Sequence, residues 1–434
     1  MKKRIILLIG ILVVTAGATV AGLWGIKQIP KSSTSEPQVE KSMAEELYEV
    51  LKNENISKEF LEFVDGRDAN ALEKMKDLVE KEGYDKTQWH EVTGYSWIVL
   101  NDLFLNNYKE AKNVTETNTT GDVTLSFTGD VSLADNWHIA PKYDARGGVK
   151  GILGENVLKM MTETDLMVVN SEFTVSNRGS ALKGKMYTFR AKPERLKIYG
   201  EMGVDLVSLA NNHVYDYGEQ AFLDMLDAFD EYEIPHVGAG RNIKEASEAY
   251  YFILNGYKFA FIGATRAEKN IYTAGATEKQ AGVFRCYDPT GVINKIKEIR
   301  DNADYVIPMI HFGRENSHSL EKEQVSSAKA YIDAGADMVV GHHAHTLQGV
   351  EIYKDKPIIY NLGNFLFNNV DTETALFQVK MANDGTMEYY LYPALQKNEK
   401  TELLTGKQKQ KVIDDINSWS INAKLNSDGK IEKK

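Results

Sequence analysis

The chain has 434 residues, of which 43% are hydrophobic and 26% charged, and this is enough for about two or three globular domains. Its formal net charge of −11 argues against nucleic acid as a partner, since no part of the chain has a basic footprint. The only cysteine, Cys286, excludes an internal disulfide and a cysteine-based zinc site, and is compatible with either side of a membrane.

Residues 1–27 predict a transmembrane helix that anchors the chain. A basic start is followed by residues 5–26 without a charged side chain, and about 20 apolar residues span a bilayer. The basic flank predicts a single-pass protein of the cell membrane, with the N-terminus in the cytoplasm and the main domain outside. A cleaved signal peptide is the alternative, although its apolar region normally has only about 7–15 residues. A lipoprotein is excluded because no lipobox cysteine is present.

Two segments separate this anchor from the chemistry. Residues 28–41 contain Pro30, Pro37 and several serines, and they predict a short linker. Residues 42–118 have apolar side chains at helical spacing and predict a small helical segment. This segment has no chemical constellation, so a passive spacer and a bundle that packs on a partner both remain open.

Residues 119–395 predict one α/β domain, because strands and helices alternate along them. The predicted strands are 122–128, 166–169, 206–209, 258–263, 306–310, 339–340 and 358–360. A helix is predicted over 221–232, and a closing antiparallel hairpin over 375–381 and 387–392. Residues 396–434 predict a polar C-terminal tail with one short helical run and a disordered end.

Polar side chains with catalytic or metal-binding chemistry follow most of these strands. They are Asp130, Glu172, Asn212, His213, His311, His343 and His345. Because ligands bind at the carboxyl ends of strands in α/β sheets, we expect these residues along one edge of a sheet. Mixed carboxylate, amide and imidazole ligands favour Mn²⁺, Fe or Zn²⁺ over Ca²⁺. One or two such ions would activate water and stabilise attacking and leaving oxygens.

Several of these residues also fit an ordinary structural role. Asp130 could be a turn residue, and Glu172 a solvated loop acid. The spacing from Asp216 to Glu219 predicts a capping box, with Asp216 as the N-cap of the following helix. His342 points away from a site if its neighbours point inward. The joint pattern favours a metal site because so many strand ends share the same chemistry.

Six ordered motifs carry a family resemblance. They are Thr128-Gly129-Asp130, Asn170-Ser171-Glu172, Ser208-Leu209-Ala210-Asn211-Asn212-His213, His311-Phe312-Gly313-Arg314-Glu315, Gly341-His342-His343-Ala344-His345 and Leu362-Gly363-Asn364-Phe365. With segment 187–193, this set resembles the CapA family of capsule and poly-γ-glutamate synthesis proteins, which includes PgsA. The resemblance covers about residues 122–392. It implies the four-layer α/β/β/α sandwich of the calcineurin-like metallophosphoesterase superfamily.

The resemblance also implies roles for individual residues. The implied metal ligands are Asp130, Glu172, Asn212, His311, His343 and His345. His213 would be the general acid that protonates the leaving oxygen, or it would stabilise that oxygen. The residues assigned to substrate binding are Arg190, Arg266, Glu315, His342 and Asn364.

The sequence departs from the superfamily at two positions. Its first motif normally reads Asp-x-His, and here it reads Asp130-Val131-Ser132. Where the second motif has Asp, this chain has Glu172. The missing histidine removes one ligand, so one tight ion with a second, weak one is an alternative to a complete two-metal centre. His342 or Glu315 could compensate.

The resulting hypothesis is a membrane-anchored, extracytoplasmic, metallophosphatase-like protein in capsule or poly-γ-glutamate biosynthesis or export. If catalytic, it would be a metal-dependent hydrolase of a phosphoester or an amide bond, acting on an anionic polymer or a phosphorylated substrate. The alternative is a non-catalytic, polymer-binding subunit that works beside polyglutamate synthase subunits. A cell-wall phosphoesterase unrelated to capsule is a third hypothesis.

Overall fold

The structure is a computed structural model that describes residues 89–91, 94–96, 98–99 and 113–434. The predicted membrane anchor, the linker and most of the helical segment lie outside the described residues. Within the described part, no helix is both long enough and apolar enough to span a bilayer. The described residues divide into two compact units, one made of those up to residue 121 together with 251–259 and 302–304, and one made of the other described residues.

The strands and helices of the described residues are as follows. The strands are β1 Val114–Glu116, β2 Val123–Val131, β3 Leu166–Ser171, β4 Thr174–Val175, β5 Arg190–Ala191, β6 Leu206–Ser208, β7 His236–Val237, β8 Ala239–Gly240, β9 Tyr250–Leu254, β10 Tyr257–Thr265, β11 Gly282–Val283, β12 Tyr305–Phe312, β13 Val339–His343, β14 Val350–Tyr353, β15 Lys356–Ile359, β16 Asn364–Leu366, β17 Thr372–Met381, β18 Met387–Lys397, β19 Lys400–Leu403, β20 Ala423–Leu425 and β21 Ile431–Lys433. The helices are α1 Ile139–Ala145, α2 Glu155–Thr162, α3 Lys197–Met202, α4 Glu219–Glu231, α5 Ile243–Ala246, α6 Thr290–Ile299, α7 Lys322–Asp333 and α8 Gly406–Trp419, with 3₁₀ turns at Val149–Gly151, Pro193–Leu196 and Arg300–Asn302.

The smaller unit is held together by a buried carboxylate. Asp304 accepts a hydrogen bond of 2.5 Å from the Ser96 hydroxyl and one of 2.8 Å from the Lys258 backbone N–H. In the same unit, β1 pairs in parallel with β9. Asp304 therefore joins three stretches that are distant in the sequence.

The larger unit contains two extended sheets. One has the strand order β10-β12-β13-β15-β14, and the other has the order β19-β18-β17-β2-β3-β6-β7, with β16 paired to β2. In the first sheet, β12, β13 and β15 are parallel. In the second, β2, β3, β6 and β7 are parallel, and β17 and β18 form an antiparallel hairpin. An α/β fold is therefore present.

Buried apolar runs explain these central strands. Every residue of β3 and of β12 is buried, as expected for parallel strands that are covered on both faces. α4 buries Phe222, Met225 and Phe229, which recur at three- and four-residue steps on one face of the helix. The predicted strands and the predicted hairpin are confirmed in position, and α4 begins two residues before its predicted start at residue 221.

The prediction of a disordered C-terminal end is wrong. β19 extends the second sheet through β18, α8 has 14 residues, and β20 pairs with β21. α8 buries Val412, Ile413 and Ile416 although it is rich in lysine and glutamine. Three apolar residues are enough to bury one face of this helix, and the polar composition around them hid that face.

Candidate metal centre

The strand ends that carry the predicted ligands come from two sheets. Asp130 is the last residue but one of β2 and Glu172 directly follows β3 in the second sheet, whereas His311 is the last residue but one of β12 and His343 ends β13 in the first. The expectation of a single sheet edge is therefore wrong. The apolar pattern of a strand predicts that it is buried, but it does not tell which sheet the strand joins.

A close backbone contact fixes the position of Asp130. Its N–H donates a 2.9 Å hydrogen bond to the carbonyl oxygen of Gly363, and Asn364 on β16 lies opposite Asp130 on β2. A Cβ at Gly129 would lie 1.9 Å from that same carbonyl oxygen. Only glycine at position 129 allows this approach.

The Asp130 carboxylate is fully buried between donors. Oδ1 accepts a 2.8 Å hydrogen bond from the Asn170 amide, and Oδ2 lies 3.1 Å from His345 Nδ1 and 3.3 Å from the His343 backbone nitrogen. Burial alone would raise the pKa of Asp130, but the hydrogen bond and the charge of His345 outweigh it and lower the pKa. Asp130 is therefore an anion that is fixed by its neighbours.

Glu172 lies at the centre of the histidines. Its Oε1 is 3.6 Å from His311 Nε2, 3.7 Å from His345 Nε2 and 3.9 Å from His213 Nε2. This buried oxygen has no hydrogen-bond partner. Burial, and then the negative charge of Asp130, raise the pKa of Glu172 well above its ordinary value. An unpaired buried carboxylate oxygen surrounded by imidazoles is the arrangement that a bound cation would complete.

His343 and His345 have strained backbones. Their φ angles are 95° and 55°, in the left-handed region that non-glycine residues rarely adopt. The Nδ1 of His343 is buried and has no hydrogen-bond partner. Burial, and then the charge of His345, lower the pKa of His343 to about 3. Burial would also lower the pKa of His345, but the carboxylates of Glu172 and Asp130 outweigh it and raise the pKa to about 10.

Asn212 and His311 complete the group. His311 Nε2 lies 2.8 Å from Asn212 Oδ1, and its Nδ1 lies 3.4 Å from the Asn170 amide nitrogen. Burial, and then the charge of His343, lower the pKa of His311 well below its ordinary value. The ring is therefore neutral, which is the form that binds metals.

These six residues, which we call the metal cluster, fit a divalent ion. They are Asp130, Glu172, Asn212, His311, His343 and His345. Two groups of potential ligands, Asp130-Glu172-His311 and Glu172-His343-His345, each have donor atoms within 4.8 Å of one another and share Glu172. The buried unpaired atoms on Glu172 and His343 and the mixed oxygen and nitrogen donors suit a transition metal.

A second set of residues adjoins the metal cluster, and we call it the His213 chain: His213, Asp216, Lys185 and Glu268. His213 Nδ1 donates a 2.8 Å hydrogen bond to Asp216 Oδ2, which also accepts one of 2.7 Å from the Phe189 backbone N–H. Asp216 Oδ1 pairs with Lys185 Nζ at 2.6 Å. The prediction that Asp216 caps α4 is wrong, because the N-cap is Gly218 and has no side-chain bond. Capping-box spacing is a local signal, whereas two partners of Asp216, Phe189 and Lys185, lie on a loop that is distant in the sequence.

Two aromatic rings cover the histidines. The ring centre of Phe189 lies 4.3 Å from that of His213, and the ring centre of Phe367 lies 4.7 Å from that of His345. The centres of the two phenylalanine rings are 5.5 Å apart. All four side chains are largely buried. This cover lowers the local dielectric constant and strengthens the electrostatic interactions beneath it.

The residues assigned to substrate binding have different surroundings. Asn364 Oδ1 accepts a 2.9 Å hydrogen bond from His345 Nδ1, and exposed Glu315 lies 4.0 Å from His343 Nε2. His342 is buried and its Nε2 donates to the Thr128 carbonyl oxygen at 3.0 Å, so its ring is engaged by the backbone. These positions bring Asn364 and Glu315 to the metal cluster.

The two arginines assigned to substrate are engaged by aromatic rings. Arg190 lies 4.2 Å from the centre of the Tyr217 ring, and Arg266 lies 5.3 Å from that of Tyr287. Their guanidinium hydrogen bonds go to backbone carbonyl oxygens. Arg266 follows β10, and its backbone N–H donates to the His311 carbonyl oxygen at 2.9 Å.

Sequence reasoning missed three polar residues of the site. Asn170 lies in the second motif, yet its amide links Asp130, Glu172 and His311. Asp216 and Lys185 belong to the His213 chain. The sequence signal for Asp216 was its position three residues after His213, and no local pattern marked Lys185.

Comparison with known proteins identifies the family. Residues 124–369, more than half of the chain, match the family model of the bacterial capsule synthesis protein PGA_cap. The chain belongs to this family. The resemblance to the CapA family is thereby confirmed.

Relatives of known name agree with this family. The chain is 38% identical to the capsule biosynthesis protein CapA of Bacillus anthracis, over 45% of this chain and 49% of that protein. It is 30% identical to the PGA biosynthesis protein CapA of Bacillus subtilis strain 168, over 62% of this chain and 71% of that protein. The match therefore spans about half the length of the B. anthracis relative.

Similarity to solved structures is low. The crystal structure of TT1561 of Thermus thermophilus aligns with 62% of this chain and 98% of its own, at 12% sequence identity and a TM-score of 0.33.

Proposed function

We propose that this PGA_cap family chain acts in capsule or poly-γ-glutamate biosynthesis or export as a metal-dependent hydrolase of a phosphoester or an amide bond. The observation that carries the proposal is Glu172 Oε1, a buried and unpaired oxygen within 3.9 Å of three imidazole nitrogens. The names of the two Bacillus relatives, which refer to capsule and to PGA biosynthesis, support the biological context.

The metal cluster would hold one or two ions of Mn, Fe or Zn. A bound divalent ion supplies Lewis-acid polarisation of a phosphoryl or carbonyl oxygen. Asp130 and Glu172 provide the anionic ligands, and buried His311 and His343 remain neutral and available as nitrogen ligands. The aromatic cover of Phe189 and Phe367 excludes water from one side of the centre.

His213 has the geometry of a general acid. Asp216 holds its Nδ1, so that Nε2 faces Glu172 at 3.9 Å. In the imidazolium form, which carries a proton on each ring nitrogen, the Nε2 proton can pass to the leaving oxygen of a substrate bound at the metal cluster. Exposed Glu315 and buried Asn364 border the same place and would contact the substrate.

The setting of this chemistry is part of the proposal. Residues 1–27 would anchor the chain in the cell membrane, with the α/β domain outside. The two sheets of the larger unit would form the inner layers of a four-layer sandwich of the metallophosphoesterase type. The substrate would be an anionic polymer or a phosphorylated precursor, and polyglutamate synthase subunits would be the partners.

Elemental analysis of the full chain, purified in detergent, tests the metal centre. We expect about one or two transition-metal ions per chain in the wild type and less than a tenth of that in Asp130→Asn and His343→Ala. Asp384→Asn, in the exposed β17–β18 turn, is the matched control and should keep the metal. A wild type that binds no metal from metal-replete medium would contradict the proposal. A metal-bound chain would then be assayed with phosphodiesters and poly-γ-glutamate.

One observation favours the alternative of a non-catalytic polymer-binding subunit. Ser132 replaces the superfamily's first-motif histidine, and its buried hydroxyl has no hydrogen-bond partner. The variant Ser132→His should raise hydrolysis about tenfold or more if the centre is a weakened enzyme, since a histidine would add a ligand. Metal binding without hydrolysis in both forms would support the binding subunit.

A further inference from the structure

Lys185 is a buried cation in the His213 chain, next to the metal cluster. Its side chain is only 4% exposed, and its Nζ lies 2.6 Å from Asp216 Oδ1 and 2.6 Å from Glu268 Oε2. The same Nζ donates a hydrogen bond to the backbone carbonyl oxygen of Asn212. Lys185 therefore contacts the residue that holds His213 and the main chain that leads into it.

Glu268 is held so that it faces Lys185. Its backbone is left-handed, with φ of 59°. Its carbonyl oxygen accepts hydrogen bonds of 2.8 Å and 3.0 Å from the Arg285 guanidinium and one of 2.9 Å from the Tyr287 hydroxyl. A left-handed non-glycine residue persists only where its surroundings fix it. These contacts fix the loop and deliver the Glu268 carboxylate to Lys185.

We propose that Lys185 is a positioning residue for His213, and that it acts through Asp216. The lysine fixes one oxygen of the Asp216 carboxylate, so that the other oxygen must face His213 Nδ1. That hydrogen bond selects the tautomer with the proton on Nδ1 and directs Nε2 toward Glu172. The part of this inference that concerns proton transfer rests on the proposed function, whereas the control of the tautomer does not.

A simple stabilising ion pair would not need this arrangement. A buried lysine requires compensating charge, and one carboxylate would supply it. Here two carboxylates flank the lysine, and the less exposed one, Asp216, also accepts from His213 and from the Phe189 N–H. The carbonyl oxygen of Asn212 has a second donor, the Thr273 hydroxyl at 2.9 Å. The Asn212 main chain therefore keeps a partner without Lys185, whereas Asp216 Oδ1 loses its ion pair.

Histidine NMR on the metal-free full chain tests this directly. Long-range ¹H–¹⁵N spectra of ¹⁵N-histidine-labelled protein, at about pH 8.5 where histidine is ordinarily neutral, report the tautomer of each ring. The His213 signal is assigned from the spectrum of His213→Gln. We expect the Nδ1–H tautomer in the wild type and in Lys185→Arg. In Lys185→Met we expect a shift toward the Nε2–H tautomer.

The possible outcomes distinguish a role of Lys185 in positioning His213 from a role in stabilising the fold. A folded Lys185→Met chain with an unchanged His213 tautomer would overturn the proposal. Loss of metal from Lys185→Met with the tautomer unchanged would also overturn it, because Lys185 would then support Asn212. If Lys185→Met does not fold, as judged by circular dichroism, the same criteria apply to Lys185→Gln, which keeps an N–H donor but has no charge.

Kinetics then connect this inference to the proposed function. With a substrate that the wild type hydrolyses, Lys185→Met should lower kcat about 10- to 100-fold with little change in KM or metal content, and Lys185→Arg should recover most of the loss. A wild type that hydrolyses no substrate would contradict the hydrolase and leave the tautomer result standing. A lowered kcat with an unchanged tautomer would contradict the role of Lys185 only.

Discussion

The metal cluster and the His213 chain lie side by side, but they satisfy their polar atoms in opposite ways. In the metal cluster, Glu172 Oε1 and His343 Nδ1 are buried without a hydrogen-bond partner. In the His213 chain, Asp216 Oδ2 accepts two hydrogen bonds, and Asp216 Oδ1, which also has no hydrogen bond, forms a 2.6 Å ion pair with Lys185. The first region has buried atoms that the proposed cation would pair, whereas the second pairs its carboxylate with a cation of the chain itself.

This difference separates two kinds of polar burial. An unpaired buried group destabilises the fold and persists where it has a function. A paired buried group rigidifies what it touches, and removing one partner is strongly destabilising. The two regions should therefore respond to neutralising substitutions with opposite signs in the metal-free protein.

The largest effect is expected for Asp216→Asn. The change leaves Lys185 with only Glu268 as a charged partner and weakens the hydrogen bond from His213, since the amide lacks the negative charge. We expect the metal-free protein to lose about 3–5 kcal/mol of unfolding free energy. Urea unfolding followed by circular dichroism measures this loss. Asp227→Asn, on exposed α4 surface, is the control and should stay within about 0.5 kcal/mol of the wild type. An equally stable Asp216→Asn chain would mean that the His213 chain is not rigidly paired.

The opposite sign is expected for Glu172→Gln. The pKa of Glu172 is raised in the folded chain, so above about pH 4.5 the unfolded state ionises while the folded state resists ionisation, and stability falls as pH rises. Glutamine removes this loss. We therefore expect a metal-free Glu172→Gln chain to be about 1–3 kcal/mol more stable than the wild type at about pH 8, with the gain absent below about pH 4.

Bound metal should reverse the order of stability, so that the wild type becomes more stable than Glu172→Gln. A ligand that binds only the folded state stabilises it by mass action, and Glu172→Gln should lose most of this stabilisation. Thermal unfolding with and without Mn²⁺ or Zn²⁺ compares the two chains, with Glu231→Gln on exposed α4 surface as the control. If Glu172→Gln destabilises the metal-free protein, the oxygen of Glu172 has a structural partner in solution. The contrast between the metal cluster and the His213 chain would then be wrong.

A smaller effect on stability is expected from the protonation of His343 in the metal cluster as the pH falls. Burial and the charge of His345 lower the pKa of His343 to about 3, below the ordinary value of 6.5. As pH falls below about 6.5, the unfolded His343 binds a proton that the folded one refuses, so the metal-free protein loses stability between about pH 6.5 and 3. His343→Asn should flatten this acid limb, and asparagine tolerates the left-handed backbone at position 343. An unchanged slope of stability against pH would show that His343 titrates normally.

Sequence patterns predicted the chemistry of this site better than its connections. Apolar runs that stop at Asp130, Glu172, His311 or His343 identified buried strands and the polar ends that follow them. Sheet membership could not be predicted, because a strand's own residues do not encode its neighbours. Nor could Lys185, which has no local signature and reaches Asp216 and Glu268 only after the loops pack. The capping-box spacing at Asp216 gave a wrong prediction, because Asp216 pairs with His213 and Lys185 instead of capping the helix.

The folded structure of the C-terminal region was also not predicted, because its contacts form only after the chain packs. The smallest expected effect is that of a substitution in this region. Trp419, the last residue of α8, stacks on His318 with ring centres 4.1 Å apart, and His318 Nδ1 donates to the Leu347 carbonyl oxygen at 2.7 Å. The loop that carries His318 also carries Glu315, and Asn316 N–H bonds the Ala344 carbonyl oxygen at 2.8 Å. α8 thus supports the outer edge of the metal centre, although the composition of residues 396–434 resembles a tail.

Trp419→Ala should separate this support from ligand binding. An aromatic stack contributes about 0.5–1.5 kcal/mol, so we expect the melting temperature to fall by about 2–4 °C. Metal affinity should change less than about threefold, because the ring that Trp419 stacks on, His318, is not one of the six ligand residues. Trp419→Phe keeps a stacking ring and should lie between the two. A tenfold loss of metal affinity in Trp419→Ala would instead mean that α8 holds the His343–His345 loop in its strained conformation, and the metal cluster would then depend on the C-terminal region.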